Sequence, residues 1–338
     1  MALALTGGTN GTVLIEGGKI AAEVPADVET LDCSGLTITA GFHNSHVHFF
    51  ERKWADAAAI PASELALQLR ATFLRFGFTT VFDLGSHGAN TRVIRDRIES
   101  GEVDGPRIFT TGAGIVPKGM MPPDVVLNLM GVMKFPFPEA ANAADAITAV
   151  RMLLDEGADA IKLFALGEDA IAAAVEEAHR AGKRVFIHPN TTADVAAALR
   201  NGVDLIAHTT PSTGSWNELP IDANAALTPT LALRHFYMRH DRASAQERMV
   251  ADAVAQLRTW IERGGTVLFG TDLGAVDPDP ALEYQLMRGA GMDSDAILAS
   301  LTPGARLEPG APADLVAFDG DFANVRYTIR GGRVVYRT

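Results

Sequence analysis

Two histidines at alternate positions, His46 and His48, end an apolar stretch of the sequence. In an extended strand, side chains at positions i and i+2 point to the same side, so the two imidazole rings face one point. Two imidazoles that face one point are a natural site for a divalent metal ion. A polar pocket that holds no metal is the alternative for so short a pattern, and the remaining sequence decides between the two.

Further residues of metal-binding or metal-bridging type follow along the chain, each within or at the end of its own predicted strand. They are Lys162, His188, His208 and Asp272. In a barrel of alternating strands and helices, the carboxyl ends of the strands form the catalytic face, where these side chains would meet. Each residue alone is better explained by a hydrogen bond to a loop amide, but the whole set favours a metal site.

The intervening sequence alternates between short β-type runs and alanine-rich amphipathic helices. The predicted strands after the one that ends at His48 are Thr79–Phe82, Arg107–Thr110, Ala160–Phe164, Arg184–His188, Asp204–His208, Ala226–Thr230 and Thr266–Gly270. The predicted helices are Glu64–Phe76, Ala143–Glu156, Glu168–Ala181, Ala193–Arg200 and Gln246–Arg263. A glycine stands where each of these helices should end, as a C-terminal cap requires. These glycines are Gly77, Gly157, Gly182, Gly202 and Gly264.

Repeated strand–helix units predict an α/β fold, and with the first strand included they suit a (β/α)8 TIM barrel. An open doubly wound sheet is the alternative, although no Gly-x-Gly-x-x-Gly turn supports a dinucleotide-binding form of it. The chain ends instead resemble short hairpin strands. These strands are Thr12–Glu16, Lys19–Ala22, Glu29–Asp32, Asp314–Phe318, Val325–Ile329 and Val334–Tyr336. We expect a small β-sandwich domain from residues 1–39 plus 307–338, beside a barrel domain from residues 40–306.

Composition limits the class of partner. The formal net charge of −12 argues against a nucleic-acid or anionic-membrane partner, because both attract basic surfaces. Cys33 is the only cysteine, which leaves neither a disulfide framework nor a cysteine-based zinc site. The N-terminus lacks the features of a secretion signal, and no run approaches the ~18 apolar residues that span a bilayer. We expect a cytoplasmic enzyme with a small-molecule substrate; barrels of this type often form homo-oligomers, and the oligomeric state is left open.

The chain resembles the amidohydrolase superfamily, specifically the imidazolonepropionase-like metal-dependent hydrolases. The matching segments are AGFHNSHVHF at 40–49, GADAIK at 157–162, VFIH at 185–188, IAHTTP at 206–211, GTDLG at 270–274 and RLEPGAPADLV at 306–316. The resemblance implies a binuclear metal centre in which His46, His48 and Asp272 hold one ion. His188 and His208 would hold the second ion, and Lys162 would be carboxylated by carbon dioxide so that its carbamate bridges both. Zinc is the first choice for these ligands, with manganese or iron as alternatives.

The reaction implied is hydrolysis of an amide, cyclic amide or dipeptide-like C–N bond. A metal-bridging hydroxide would be the nucleophile, and Asp272 would be the general acid and base. The alternatives are a lactone, ester or carbamate hydrolase, a mononuclear deaminase on the same scaffold, and a non-catalytic binding protein. No glutamate occurs between His188 and His208, which counts against a deaminase. The intact ligand set counts against a binding protein.

Substrate contacts are predicted from loops that follow the strands. His87 follows the second strand, and Arg234, His235 and Tyr237 follow the seventh. Arg234 could bind a substrate carboxylate, with a surface ion pair as the alternative. The segment Gly112–Glu139 is either a lid or a crossover packed on the barrel.

Three features depart from the family pattern. Asn44 stands where relatives usually have aspartate, and we expect it to keep hydrogen bonds behind the metal ligands. His43 replaces an apolar residue and is expected to be structural. The chain after Thr302 lacks a further short helix.

Overall fold

The computed structural model describes residues 2–23, 27–120, 136–211, 214–222, 224–237, 243–273 and 279–338. The architecture is mixed α/β: the middle of the chain alternates parallel strands with helices, and the two chain ends form two further sheets. The strands are β1 (Ala2–Gly8), β2 (Gly11–Glu16), β3 (Lys19–Ile20), β4 (Glu29–Asp32), β5 (Thr37–Ala40), β6 (Phe42–Val47), β7 (Phe78–Asp83), β8 (Arg107–Thr110), β9 (Val116–Pro117), β10 (Glu139–Ala140), β11 (Ile161–Phe164), β12 (Val185–His188), β13 (Leu205–Ala207), β14 (Ala226–Thr228), β15 (Thr266–Val267), β16 (Leu315–Phe318), β17 (Val325–Arg330) and β18 (Arg333–Arg337). The helices are α1 (Ala62–Thr72), α2 (Gly88–Glu99), α3 (Ala143–Asp155), α4 (Glu168–Arg180), α5 (Thr192–Arg200), α6 (Leu231–Tyr237), α7 (Ala243–Glu262), α8 (Ala281–Gly289) and α9 (Ser294–Leu301).

Hydrogen bonds join eight of the parallel strands into two sheets, β6-β7-β8 and β11-β12-β13-β14-β15, while β9 and β10 form a separate parallel pair. At one seam between these sheets, the Ser45 amide donates to the Phe269 carbonyl at 2.8 Å and the Asp272 amide donates to the His46 carbonyl at 2.9 Å. At the other seam, the Asp159 amide donates to the Thr110 carbonyl at 2.8 Å. The parallel strands therefore follow one another in the order that the sequence predicts for a (β/α)8 barrel.

Side chains alternate between the two faces of the parallel sheets along each strand. Ile161 and Leu163 belong to the apolar cluster that the strands share with the helices. Phe186 and Leu205 belong to a separate small cluster on the other face. Since neighbouring side chains of a strand point to opposite faces, Lys162 lies on the inner face with Phe186.

Glycines end the helices as the sequence predicts. Gly77, Gly157, Gly182, Gly202 and Gly264 all have positive φ angles, between 68° and 87°. A residue with a Cβ atom is strained in this left-handed region, so glycine is the natural residue for the turn into the next strand. Among the described residues, the helices include none that is both long and apolar enough to cross a bilayer.

The chain ends form two four-stranded sheets, β3-β2-β1-β4 and β18-β17-β16-β5. Side chains from both ends share one buried apolar cluster, which includes Leu5, Ile15, Ile38, Leu315 and Ile329. Strand β5 pairs antiparallel with β16, so the start of the chain hydrogen-bonds directly with its end. The packing is that of the expected sandwich, whereas the domain division at residues 39 and 307 stays a prediction.

The sequence analysis missed the strands β1, β5, β9 and β10 and several helices, namely α2, α6, α8 and α9. Helix α2 shows the reason, because its first turn is polar and its buried side chains are few: Thr91, Ile94 and Ile98. Such a narrow apolar stripe gives a weak periodic signal. The predicted absence of a helix after Thr302 agrees with the structure, where residues 302–314 contain no helix.

Candidate metal centre

Three of the predicted ligands, His46, His48 and Asp272, lie together where β6 meets the segment after β15. The seam holds them in place, since the His48 amide also donates to the Leu273 carbonyl at 2.7 Å. The side chains are buried, with relative exposures of 0% for His46, 8% for His48 and 4% for Asp272. One ligand atom from each lies within 4.8 Å of the other two, as a shared metal ion would require.

The atoms that converge at this point are acceptors. His48 Nδ1 lies 2.8 Å from the Gly85 carbonyl oxygen, which can only accept, so Nδ1 carries the proton and Nε2 has the free lone pair. His48 Nε2 lies 2.8 Å from Asp272 Oδ1 and 3.2 Å from His46 Nε2. The lone pair of His48 Nε2 and the Asp272 carboxylate repel each other at 2.8 Å unless a cation or a proton lies between them. The geometry therefore fits a divalent ion.

The loop that supplies the Gly85 carbonyl is fixed by a buried carboxylate, Asp83, which is 0% exposed. Asp83 accepts hydrogen bonds from the Ser86 hydroxyl and, at 2.6 Å, from the Thr110 hydroxyl. The sequence analysis did not single out Asp83. Its position at the end of β7, paired with Val47 between the first two predicted histidine ligands, was the available signal.

His208 and His188 continue the cluster on the other side of His46. The ring centroids of His46 and His208 are 4.5 Å apart, and those of His188 and His208 are 4.6 Å apart. His208 Nδ1 lies 2.7 Å from the Thr230 hydroxyl, while His208 Nε2 lies 3.7 Å from Asp272 Oδ2. His208 thus reaches the same carboxylate as the first pair, and His188 lies beside His208.

Lys162, on β11, completes the cluster. Its side chain is buried, with 1% relative exposure, and its Nζ has no hydrogen-bond partner among the described residues. Burial lowers the pKa of Lys162 to about 7, although the nearby Asp272 carboxylate opposes the shift. An isolated buried ammonium is costly, so this position favours a neutral or modified amine.

Two of the predicted ligands have left-handed backbones, with φ angles of 96° at His208 and 60° at Asp272. Side chains with a Cβ atom rarely adopt this conformation, which concentrates at functional sites. The turn also explains why β13 ends at Ala207, one residue before the predicted end at His208. Thr230, with a φ angle of 44°, lies likewise beyond the observed end of β14.

Burial keeps the imidazoles of His46, His188 and His208 neutral, which is the form that binds metal ions. It lowers the pKa of His188 to about 3, with the Lys162 charge acting in the same direction, and it lowers the pKa values of His46 and His208 well below the ordinary range. For Asp272, burial raises the pKa, but the basic side chains around the carboxylate, His46 foremost, outweigh burial and lower the pKa. The site thus combines the neutral imidazoles of His46, His188 and His208 with an ionised carboxylate.

Asn44 ties the two ligand-bearing segments together from behind. Its Nδ2 donates to the Thr271 hydroxyl at 2.8 Å, and its Oδ1 accepts from the amides of Thr271 at 3.2 Å and His46 at 3.3 Å. The Asn44 side chain is 0% exposed, so water cannot replace it as the hydrogen-bond partner of these groups. This agrees with the expectation that Asn44 makes hydrogen bonds behind the ligands.

Asn44→Ala should lower the free energy of unfolding by about 1–3 kcal/mol, because it leaves two buried amides without an acceptor. Metal occupancy should fall as well, since His46 and Asp272 lose their common support. Asn44→Asp is the matched control, because its carboxylate still accepts from both amides. Chemical denaturation and elemental analysis would measure both effects, and a fully stable Asn44→Ala protein with normal metal content would contradict this role.

The predicted substrate contacts have different surroundings. Arg234 is 6% exposed and donates to the Thr209 carbonyl, so the surface ion pair considered for it is wrong. His87 and His235 are exposed on α2's N-cap and on α6, respectively. The Tyr237 side chain lies outside the described part of the chain, as do residues 121–135 of the predicted lid segment. The ring of His43 lies beside that of Phe82, with centroids 6.5 Å apart, and His43 is not part of the cluster of His46, His48 and Asp272.

The sequence profile of the amidohydrolase family matches residues 37–335. Three solved structures illustrate the similarity of fold. A Xaa-Pro dipeptidase with bound methionine in its active site is 22% identical, with a TM-score of 0.80 and coverage of 100% of this chain and 99% of that chain. A prolidase complexed with N-methylphosphonate-L-proline is 23% identical, with a TM-score of 0.71 and full coverage of both chains. The ochratoxinase of A. niger is 21% identical, with a TM-score of 0.73 and coverage of 98% and 95%. No curated protein sequence matches the chain.

Proposed function

The chain belongs to the amidohydrolase family, and on that premise we propose that it hydrolyses an amide, cyclic amide or dipeptide-like C–N bond at a binuclear metal centre. The observation that carries the proposal is the buried Nζ of Lys162, which has no hydrogen-bond partner among the described residues but faces a cluster of imidazoles and a carboxylate. Carboxylation of that amine by carbon dioxide would convert an unfavourable buried cation into an anionic oxygen ligand.

In this proposal His46, His48 and Asp272 would hold one ion, His188 and His208 would hold the other, and carboxylated Lys162 would be a ligand of both. Imidazole and carboxylate ligands suit zinc first, and manganese or iron next. The Gly85 carbonyl and the Thr230 hydroxyl hold the Nδ1 atoms of His48 and His208. Their Nε2 atoms are thereby directed toward the ions.

The chain's own catalytic group is Asp272. When bound, the metal ions supply an activated water molecule and polarise the carbonyl of the substrate. Asp272 would accept the proton of the attacking water and deliver it to the departing nitrogen, which must be protonated to leave as an amine. Its lowered pKa keeps the carboxylate ionised, which is the form that can accept a proton. The buried surroundings exclude competing water from this transfer.

We propose a substrate with a free carboxylate next to the scissile bond, such as a dipeptide or an N-acyl amino acid. Arg234 supports this choice, because it is a buried guanidinium whose charge lowers the pKa values of both His188 and His208. A guanidinium so close to the cluster can bind a carboxylate through two parallel hydrogen bonds. The dipeptidase and prolidase structures named above are similar in fold and act on such compounds.

A panel of Xaa-Pro dipeptides, N-acetyl amino acids and γ-lactones would test this proposal after reconstitution with zinc or manganese. We expect hydrolysis of at least one amide class, its loss after chelation, and its recovery on addition of metal. Hydrolysis of lactones alone would replace the amide assignment with the lactonase alternative. A metal-loaded protein that hydrolyses none of the panel would contradict the proposal.

A further inference from the structure

A buried carboxylate outside the metal cluster, Glu283 on α8, reaches the beginning of α6. Its two oxygens accept hydrogen bonds from the Leu231 amide at 2.9 Å and the Ala232 amide at 2.7 Å. The side chain is 0% exposed. These are the first two amides of the helix, which have no partner within the helix itself. Glu283 therefore caps α6 from a different part of the chain.

This cap differs from those of the other helices. Helices α3, α5 and α9 are capped by the residue that directly precedes them, namely Asn142, Thr191 and Asp293. A cap from the preceding residue fixes only the local turn. Glu283 instead fixes α6 against α8, and so determines where the helix lies in the protein.

The cap is made at a cost to the folded state. Burial raises the pKa of Glu283 to about 7, while the hydrogen bonds from the Ala232 and Leu231 amides act in the opposite direction. The ionised carboxyl is thus less favourable at this position than in water, and the amides with the positive end of the helix dipole offset only part of that loss. The cap is therefore made by a group whose ionised form is not favoured by its buried position.

The residue that α6 presents is Arg234, in the turn after the capped amides. Its guanidinium donates to the carbonyl of Thr209, the residue next to His208. Moving the start of the helix would move this guanidinium relative to the metal cluster. Side chains that bind substrates must be held to within about 0.5 Å, and the cap supplies that restraint.

We propose that Glu283 is a positioning residue, which fixes α6 so that Arg234 meets the carboxylate of the substrate. The inference rests on the proposed function, because it assigns the carboxylate-binding part of the same site. Glu283 itself does not touch the substrate. Its loss should therefore affect substrates that carry a carboxylate and spare those that lack one.

The test uses Glu283→Gln in the full-length, metal-loaded protein, with Glu283→Asp as a milder second variant. Gln keeps the size but places an NH₂ against one of the two amides, and Asp keeps the charge but is too short to reach both. For a Xaa-Pro dipeptide that the wild type hydrolyses, KM should rise about tenfold, a change of about 1.4 kcal/mol, while kcat stays within about twofold. The same dipeptide with a C-terminal carboxamide should show no change in KM.

Asp293→Ala is the matched control, because it removes the cap of α9, where Asp293 accepts from the Ala296 amide at 2.8 Å. It should leave KM unchanged for both compounds. In an Arg234→Met background, Glu283→Gln should add less than about a twofold increase in KM, since Glu283 affects substrate binding only through Arg234. An equal rise in KM for the dipeptide and its carboxamide would overturn the proposal, as would the full effect in the Arg234→Met background.

Hydrogen exchange separates failure of this inference from failure of the proposed function. In Glu283→Gln, amides of residues 230–235 should exchange at least about tenfold faster than in the wild type, whatever the protein hydrolyses. Unchanged exchange would overturn the positioning role even if the wild type is an active dipeptidase. Faster exchange in a protein that hydrolyses no compound with a carboxylate would overturn the proposed function, and with it the role of Arg234.

Discussion

Lys162→Ala is expected to lower kcat/KM by at least about 10³-fold, because it removes the ligand proposed to bridge both ions. The wild-type side chain is 1% exposed, and its amine has no hydrogen-bond partner among the described residues. Alanine should therefore cost little folding stability, so a loss of activity would report the metal centre rather than unfolding. Steady-state kinetics with the best substrate of the panel, alongside thermal denaturation, would measure both quantities.

Lys19→Ala is a suitable control, since Lys19 is exposed on β3 in a terminal sheet. Its activity and thermal stability should equal those of the wild type. Lys162→Arg adds a second comparison, because a guanidinium keeps the positive charge but forms no carbamate under these conditions. Activity above about a tenth of the wild type in Lys162→Ala would remove the lysine from the centre.

Asp272→Asn is expected to lower kcat by about 10²–10⁴-fold, the range that a general acid–base group contributes. The amide oxygen can still approach a metal ion, but the amide cannot accept the proton of the attacking water. At least one ion should therefore stay bound while turnover is lost. The expected pattern is low kcat with retained metal, measured by kinetics and elemental analysis on one preparation.

Asp279→Asn is the matched control for this variant, because Asp279 is an exposed residue shortly before α8. It should retain full activity. A variant at position 272 with near-normal turnover would remove Asp272 from the acid–base role. Loss of all metal would assign it a purely structural role as a ligand.

The six residues of metal-binding type were predictable because the chemistry depends on residue type and on position at strand ends. His46 and His48 were recognisable from their alternate spacing, and His188 and His208 from their place after apolar runs. The structure brings these side chains together because parallel strands place their carboxyl ends on one face. The seam between β6 and the segment after β15 could not be predicted from local pattern, since Ser45 and Phe269 are joined only by tertiary folding.

The supporting groups were harder to predict, because their importance depends on distant partners. Glu283 looks like an ordinary helical glutamate in the sequence, and only its approach to the Leu231 amide reveals the cap. The role of Asp83 likewise depends on a tertiary contact, the hydrogen bond between the Gly85 carbonyl and His48. Arg234 was expected either on the surface or at the substrate, and burial was the information that sequence lacked.

The most direct test of the binuclear centre is the metal-to-protein ratio of the purified wild type, measured by elemental mass spectrometry after expression with added zinc or manganese. We predict about two ions per chain, falling in Lys162→Ala, because that lysine is proposed to bridge them. A ratio of about one would contradict the binuclear centre and favour a mononuclear hydrolase or deaminase. A ratio near zero, even after reconstitution, would contradict the metal-dependent mechanism itself.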